Sequence, residues 1–144
     1  MNGVPKIVTP LLITGIGFWP AALITSGIFV VAHGHNPGET YVGMVQVFGS
    51  GMLSRVGIWW TKSLWWSIGF HAAWDYTQNF VFGTHDSGLV MRGTLMNFVP
   101  RGNIFLSGGP TGPEGSIFSL AVIALAAAIA WYAFARRMGA QLQN

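Results

Sequence analysis

Four apolar segments follow one another along the chain, separated by stretches that are rich in glycine, proline or charge. They cover about residues 20–33, 39–62, 64–82 and 116–134. A helix needs about 20 apolar residues to cross the hydrocarbon layer, and these segments approach or reach that length. The pattern predicts an all-α fold, a polytopic transmembrane helical bundle of about four membrane helices.

Two regions interrupt the helical pattern. Residues 1–19 contain Pro5, Pro10, Gly15 and Gly17, which predicts an irregular or interfacial approach with one short helix around 7–13. The stretch between the third and fourth helices is dense in glycine and proline, and its length predicts a structured or re-entrant loop. We therefore expect one integral membrane domain over residues 1–144, with a helical core at 20–136.

Composition supports a membrane location. Only 8% of the residues are charged, against about 25% in a typical soluble protein. Hydrophobic residues make up 51%, and the mean hydropathy is +0.50. The formal net charge of +3 comes from dispersed Lys and Arg residues that form no basic stripe, so the expected partner is the lipid bilayer and not a nucleic acid.

The positions of the basic residues predict an orientation. Lys62 precedes the third helix and Arg136 and Arg137 follow the fourth, and two crossings place both sites on one face. By the positive-inside rule this face, with the C-terminus, is cytoplasmic. Arg92 and Arg101 lie in the loop that faces the other side.

A polar stripe marks the third helix. His71, Asp75, Gln78, Asn79 and Phe82 are spaced three or four residues apart, so they share a helix face. Polar groups at bilayer depth generally face the bundle interior, where they meet a partner or a wet cavity. His71 and Asp75 could satisfy each other structurally, or they could form part of a functional site.

A second histidine ends the first helix. His33 stands before Gly34 and Pro37, so it could cap the helix or reach the polar stripe. His35 and His85 are expected to be exposed to solvent. Gln46, in the middle of the second helix, is expected to form an interhelical hydrogen bond.

These stretches resemble the CPBP family of intramembrane proteases, the CAAX prenyl protease and bacteriocin-processing group. The segment from Phe29 to His33 fits F-x-x-x-H, and the segment from His71 to Asp75 fits H-x-x-x-N/D. The segment GGPTGPEGS at 108–116 is similar to the one before the last helix in many bacterial members. The resemblance runs from Trp19 onward and implies a bacterial plasma-membrane endopeptidase whose substrate is a peptide or protein at the membrane.

The resemblance also implies roles. His33 would assist the attacking water, while His71 and Asp75 would polarise the peptide carbonyl or its oxyanion. The family motif E-E-x-x-x-R does not occur before Phe29, because the first glutamate is Glu39. The chain therefore resembles the back half of the family domain and is expected to be inactive alone.

The sequence does not decide whether the protein binds a cofactor. The family's metalloprotease label suggests a divalent metal such as zinc, but no H-E-x-x-H helix is present to support it. Two other functions are compatible with the residues: a noncatalytic membrane module that binds or scaffolds a partner, and a haem carrier with His33 and His71 as axial ligands. Asp75 on the ligand face argues against haem.

Overall fold

The computed structural model describes residues 13–141, with side chains as far as residue 136. This part of the chain is helical and contains no β-strand. The elements, in chain order, are α1 (Phe18–His33), α2 (Tyr41–Thr61), α3 (Trp65–Asp75), a π-helical segment (Tyr76–Val81), α4 (Ile104–Ser107), two 3₁₀ turns (Gly109–Thr111 and Pro113–Gly115) and α5 (Ile117–Gln141).

The predicted irregular or interfacial approach at 1–19 is described from residue 13 onward. Residues 13–16 are helical, and α1 begins at Phe18 after Gly17, which takes a positive φ of 84°. Glycine allows this left-handed break without steric cost, so one helical turn can precede α1 at a different angle. Residues 1–12, including most of the short helix expected at 7–13, lie outside the described residues.

Helices α1 and α2 pack closely through small residues. Ala21, Ala22 and Ser26 of α1 are completely buried, and Ser26 lies against Gly51 of α2. The guanidinium of Arg55 donates to both the hydroxyl and the carbonyl oxygen of Thr25, at 2.8 and 3.0 Å. These bonds fix the position of α1 along α2, and with it the position of His33.

Glycines in α2 also lie at its contacts with α3 and α5. The indole of Trp66, at the start of α3, lies directly over Gly57, and Ile123 of α5 lies over Gly49. Small residues let helix backbones approach closely, as the sequence pattern of α2 predicts. Helix α2 is therefore the centre of the bundle, contacting α1, α3 and α5.

The third predicted helix changes its hydrogen bonding halfway. After Asp75 the chain forms a π-helical segment, in which the N–H of Phe82 donates to Thr77 five residues earlier. A π-turn holds more residues than an α-turn, so side chains beyond Asp75 rotate away from the positions that a 3.6-residue period predicts. The predicted stripe is consequently split, because Gln78 donates to the backbone oxygen of His85 and lines a different cavity from His71.

The glycine- and proline-rich loop is structured, as predicted. Thr111 in this loop is fully buried. Its hydroxyl donates to the carbonyl oxygen of Gly38, in the turn between α1 and α2, at 2.6 Å. The N–H of Gly88 donates in turn to the carbonyl oxygen of Thr111. The two turns are thereby joined at the end of the bundle where α1 ends and α5 begins.

One helix of the described part is long and apolar enough to cross a membrane. It is the segment Ile117–Arg136 of α5, with a mean hydropathy of 2.2. Helix α1 is apolar but shorter. The structure thus supports an all-helical fold with one membrane-capable helix, while the predicted count of about four spans goes beyond this finding.

Candidate active site

His33 is the last residue of α1. Its Nδ1 lies 2.8 Å from the carbonyl oxygen of Phe29, one turn earlier. Because a carbonyl oxygen only accepts, Nδ1 carries the hydrogen, and Nε2 is the nitrogen left to accept a proton. The ring packs at 4.2 Å, centroid to centroid, against Phe29, and the ring of Phe29 also lies 6.1 Å from that of His71.

His71 and Asp75 lie one turn apart on α3. The distance from His71 Nε2 to Asp75 Oδ2 is 3.6 Å, which is an ion-pair contact and longer than a hydrogen bond. Their side chains are 56% and 41% exposed. Both groups therefore keep hydrogen-bonding capacity beyond their mutual contact.

A single cavity brings the predicted residues together. It has a volume of about 310 Å³ and is lined by His33, His71 and Asp75 from two different helices. Neighbouring helix α2 contributes Gln46 and Ser50 to the wall. We call this the histidine cavity.

The cavity contains a buried glutamate that the sequence reasoning did not assign to it. Glu114, in the second 3₁₀ turn, is 5% exposed. Its Oε1 accepts from the indole of Trp74 at 3.1 Å, and its Oε2 accepts from the N–H and hydroxyl of Ser87 at 3.2 and 2.8 Å. From the sequence, Glu114 is explained only by its favourable position near the start of the last helix. Its rarity could have indicated a functional site, since it is one of four acidic residues in an apolar chain.

Asp86 is the second residue that sequence reasoning missed. It lies in the loop after the π-helical segment, where it accepts from the amide of Asn79 and shares the cavity wall with Glu114. Burial, followed by the contact with Glu114, raises the pKa of Asp86 to about 7, while Asn79 and His71 act in the opposite direction. This pKa lies near the pH at which a general base or acid is most useful.

Gln46 does not behave as predicted. Its side chain is 3% exposed, yet its amide makes no hydrogen bond with another residue in the described part of the chain. The expected interhelical hydrogen bond is therefore absent there. Since Gln46 lines the histidine cavity, the amide is available to whatever occupies it.

The remaining histidines, His35 and His85, do not line the histidine cavity. His35 is exposed, as predicted, and its Nδ1 lies 3.1 Å from the carbonyl oxygen of Val31. His85 is only partly exposed, which corrects the prediction, because its Nδ1 lies 2.8 Å from the carbonyl oxygen of Pro110 and holds two parts of the loop together.

The donor set does not fit a resident metal ion. Among the described residues, no group of three or more His, Asp or Glu side chains is arranged to hold one. His33 and His71 both pack on the ring of Phe29, and Glu114 is already surrounded by donors. We therefore derive no step through zinc.

A larger apolar cavity adjoins the histidine cavity. Its volume is about 640 Å³, and Phe70 and Trp74 line both cavities. Its other walls include aromatic residues from the loop and from α5, among them Phe98 and Phe118. An apolar group of a ligand could therefore lie beside polar groups that act on the same molecule.

The described part of the chain thus combines a helical fold and one membrane-capable helix with a cavity that is lined by imidazoles from two helices and by carboxyl groups. The chain matches the family model described as type II CAAX prenyl endopeptidase, Rce1-like, over residues 6–77. That match covers half of the chain, and the protein belongs to this family of membrane-embedded endopeptidases. The family resemblance expected from the motifs is thus confirmed, and the matched region contains His33, His71 and Asp75.

No curated protein and no solved structure matches the chain.

Proposed function

We propose that this protein is a membrane endopeptidase that hydrolyses a peptide bond with an activated water molecule. The observation that carries the proposal is the convergence of His33, His71 and Asp75 on one cavity. The sequence predicts that the chain is inactive alone, because it lacks E-E-x-x-x-R. Because three of its own carboxyl groups, those of Asp75, Asp86 and Glu114, line the cavity, we propose activity instead.

His33 and His71 have different tasks in this proposal. The Nε2 of His33 accepts a hydrogen bond from the water and orients it, since Nδ1 is held by the backbone. His71 donates to the carbonyl oxygen of the scissile peptide, where negative charge develops in the transition state. Asp75 cannot donate when ionised, so it orients His71 through their contact of 3.6 Å.

The membrane arrangement is also part of the proposal. We place α1, α2 and α3 in the bilayer of a bacterial plasma membrane beside α5, with Lys62 and Arg136 on the cytoplasmic face. The family description points to prenylated C-terminal peptides. The apolar cavity of about 640 Å³ beside the histidine cavity supports a substrate that carries such an apolar group.

The test uses the full chain reconstituted in proteoliposomes and a fluorogenic peptide ending in a farnesylated CAAX sequence. The wild type should cleave it faster than the same peptide without the farnesyl group. His33→Ala and His71→Ala should each lower kcat/KM by about 100-fold or more, the usual effect of losing an acid–base group. His35→Ala removes a nearby histidine outside the cavity and should retain activity.

Two outcomes would contradict the proposal. Equal activity in His33→Ala, His71→Ala and the wild type would show that the cavity is not the site of hydrolysis. A wild type that binds the peptides without cleaving them, with binding unchanged in both variants, would favour the noncatalytic module.

A further inference from the structure

The histidine cavity contains three carboxyl groups, and each has a different set of partners. Asp75 forms the ion-pair contact with His71. Glu114 accepts three hydrogen bonds, from the indole of Trp74 and from the backbone and hydroxyl of Ser87. Asp86 accepts from the amide of Asn79 and lines the same cavity as Glu114 and both histidines.

The hydrogen bonds distinguish the two members of the Asp86–Glu114 pair. The indole and backbone N–H groups can only donate, so both oxygens of Glu114 accept hydrogen bonds. Two carboxylates in contact do not both ionise readily, so one proton is shared at the contact. Asp86 supplies that proton, and its Oδ2 accepts from Asn79.

Gln46 provides an independent sign that the cavity takes a polar ligand. A buried amide without partners is destabilising unless water or a ligand satisfies it. Gln46 reaches the cavity from α2, whereas Asp86 and Glu114 reach it from the loops. A peptide group offers the matching carbonyl oxygen and N–H.

Resting on the proposed function, we propose that Asp86 is a further catalytic residue that takes the proton from the attacking water, with Glu114 as its positioning residue. The water oxygen bonds to the peptide carbonyl carbon while Asp86, as the carboxylate, receives a water proton. The tetrahedral intermediate then loses its C–N bond, and Asp86 returns that proton to the leaving nitrogen. The products are a carboxyl group and an amine, and Asp86 is again ionised.

The environment of Asp86 suits this exchange. Burial and Glu114 raise the pKa of Asp86 to about 7, so the carboxyl group converts between its two forms near neutral pH. Helix α2 contributes only uncharged groups to the cavity wall, namely Gln46 and Ser50. The titratable groups that line the cavity with Asp86 are His33 from α1, His71 and Asp75 from α3, and Glu114 from the 3₁₀ turn.

The test is the pH profile of kcat/KM for the farnesylated peptide in proteoliposomes. The wild type should gain activity as the pH rises through about 7, where Asp86 becomes ionised. Asp86→Asn should lose about 100-fold or more and also lose this rise. Glu114→Gln removes a negative charge and offers an amide donor, so the rise should move to lower pH. His35→Ala changes a residue outside the cavity and should keep the wild-type profile.

A second measurement does not depend on activity. Infrared difference spectra of the full chain in deuterated buffer report a protonated carboxyl group through its C=O stretch. This band should disappear with a midpoint near pH 7 in the wild type, at lower pH in Glu114→Gln, and be missing in Asp86→Asn. Absence of such a band in the wild type overturns the inference.

The two proposals can fail separately. If His33→Ala is inactive while Asp86→Asn retains the wild-type rate and profile, the role of Asp86 is wrong and the endopeptidase stands. If the wild type cleaves none of the peptides, the endopeptidase and the catalytic role of Asp86 both fail, and the infrared band alone reports whether the pair shares a proton.

Discussion

The contact between α2 and α3 gives the sharpest structural prediction, through the substitution Gly57→Ala. A Cβ at Gly57 would lie 1.7 Å from Nε1 and 1.9 Å from Cδ1 of Trp66, far inside van der Waals contact. The indole cannot move freely, because its other side packs on Phe134 of α5 with ring centroids 5.9 Å apart. Helix α3 must therefore move away from α2, or Trp66 must leave its place.

The expected magnitude follows from two opposing effects. Overpacking a buried contact costs about 1–3 kcal/mol. Replacing glycine by alanine inside a helix gains up to about 1 kcal/mol. Gly69→Ala in α3 is the matched control, because a Cβ there meets nothing within 4 Å and only the gain applies. Gly57→Ala should then be about 1–3 kcal/mol less stable than Gly69→Ala.

The assay is reversible unfolding in mixed detergent micelles, with free energies extrapolated to zero denaturant for the wild type and both variants. Because α3 also carries His71 and Asp75, Gly57→Ala should lower peptide cleavage as well. A Gly57→Ala protein as stable as Gly69→Ala would refute the close approach of the two helices at Trp66.

Three further predictions concern the loop and the first helix. Thr111→Val removes the hydrogen bond to Gly38 and leaves a carbonyl oxygen without its partner, so unfolding free energy should fall by about 1–3 kcal/mol in the same micelle assay. Arg55→Met removes both bonds to Thr25 and should expose α1 to faster amide hydrogen exchange, whereas an unchanged exchange rate would show that these bonds do not hold the helix. The pKa of Asp86 in the folded protein, about 7, lies above its ordinary value of 3.8, so the folded state binds more protons between these values. Thermal stability should therefore fall as the pH rises from about 4 to about 7, and Asp86→Asn should flatten this part of the Tm profile.

The helices were predictable because each apolar run ends at a recognisable signal. Thr40 caps α2 by accepting from the N–H of Gly43, and α1 ends at His33, immediately before Gly34, as the sequence predicts. The change to π-helical hydrogen bonding after Asp75 was not predictable, because the polar spacing continues with an ordinary helical period through it. Tertiary contacts of Gln78 and Asn79 with the following loop accompany the change.

Two sequence motifs mark only part of the candidate site. His33, His71 and Asp75 lie on helices whose faces can be read from spacing, and the structure places all three on one cavity. Asp86 and Glu114 lie in irregular segments, and no periodicity indicates where a loop carboxyl group will point. Their meeting depends on contacts between residues far apart in the sequence, such as Ser87 with Glu114.

The π-helical segment means that the length of this stretch is itself a constraint on the protein. Deleting one residue between Tyr76 and Val81 would let the segment return to α-helical bonding, and the chain beyond it would keep about its present direction, because a π-turn accommodates one extra residue. The side chain of the segment that faces Asp86, now Asn79, would then change, although no side chain at the cavity had been substituted. Homologues that differ here by a single-residue gap should therefore place a different side chain beside Asp86. Their cavity histidines should stay unchanged.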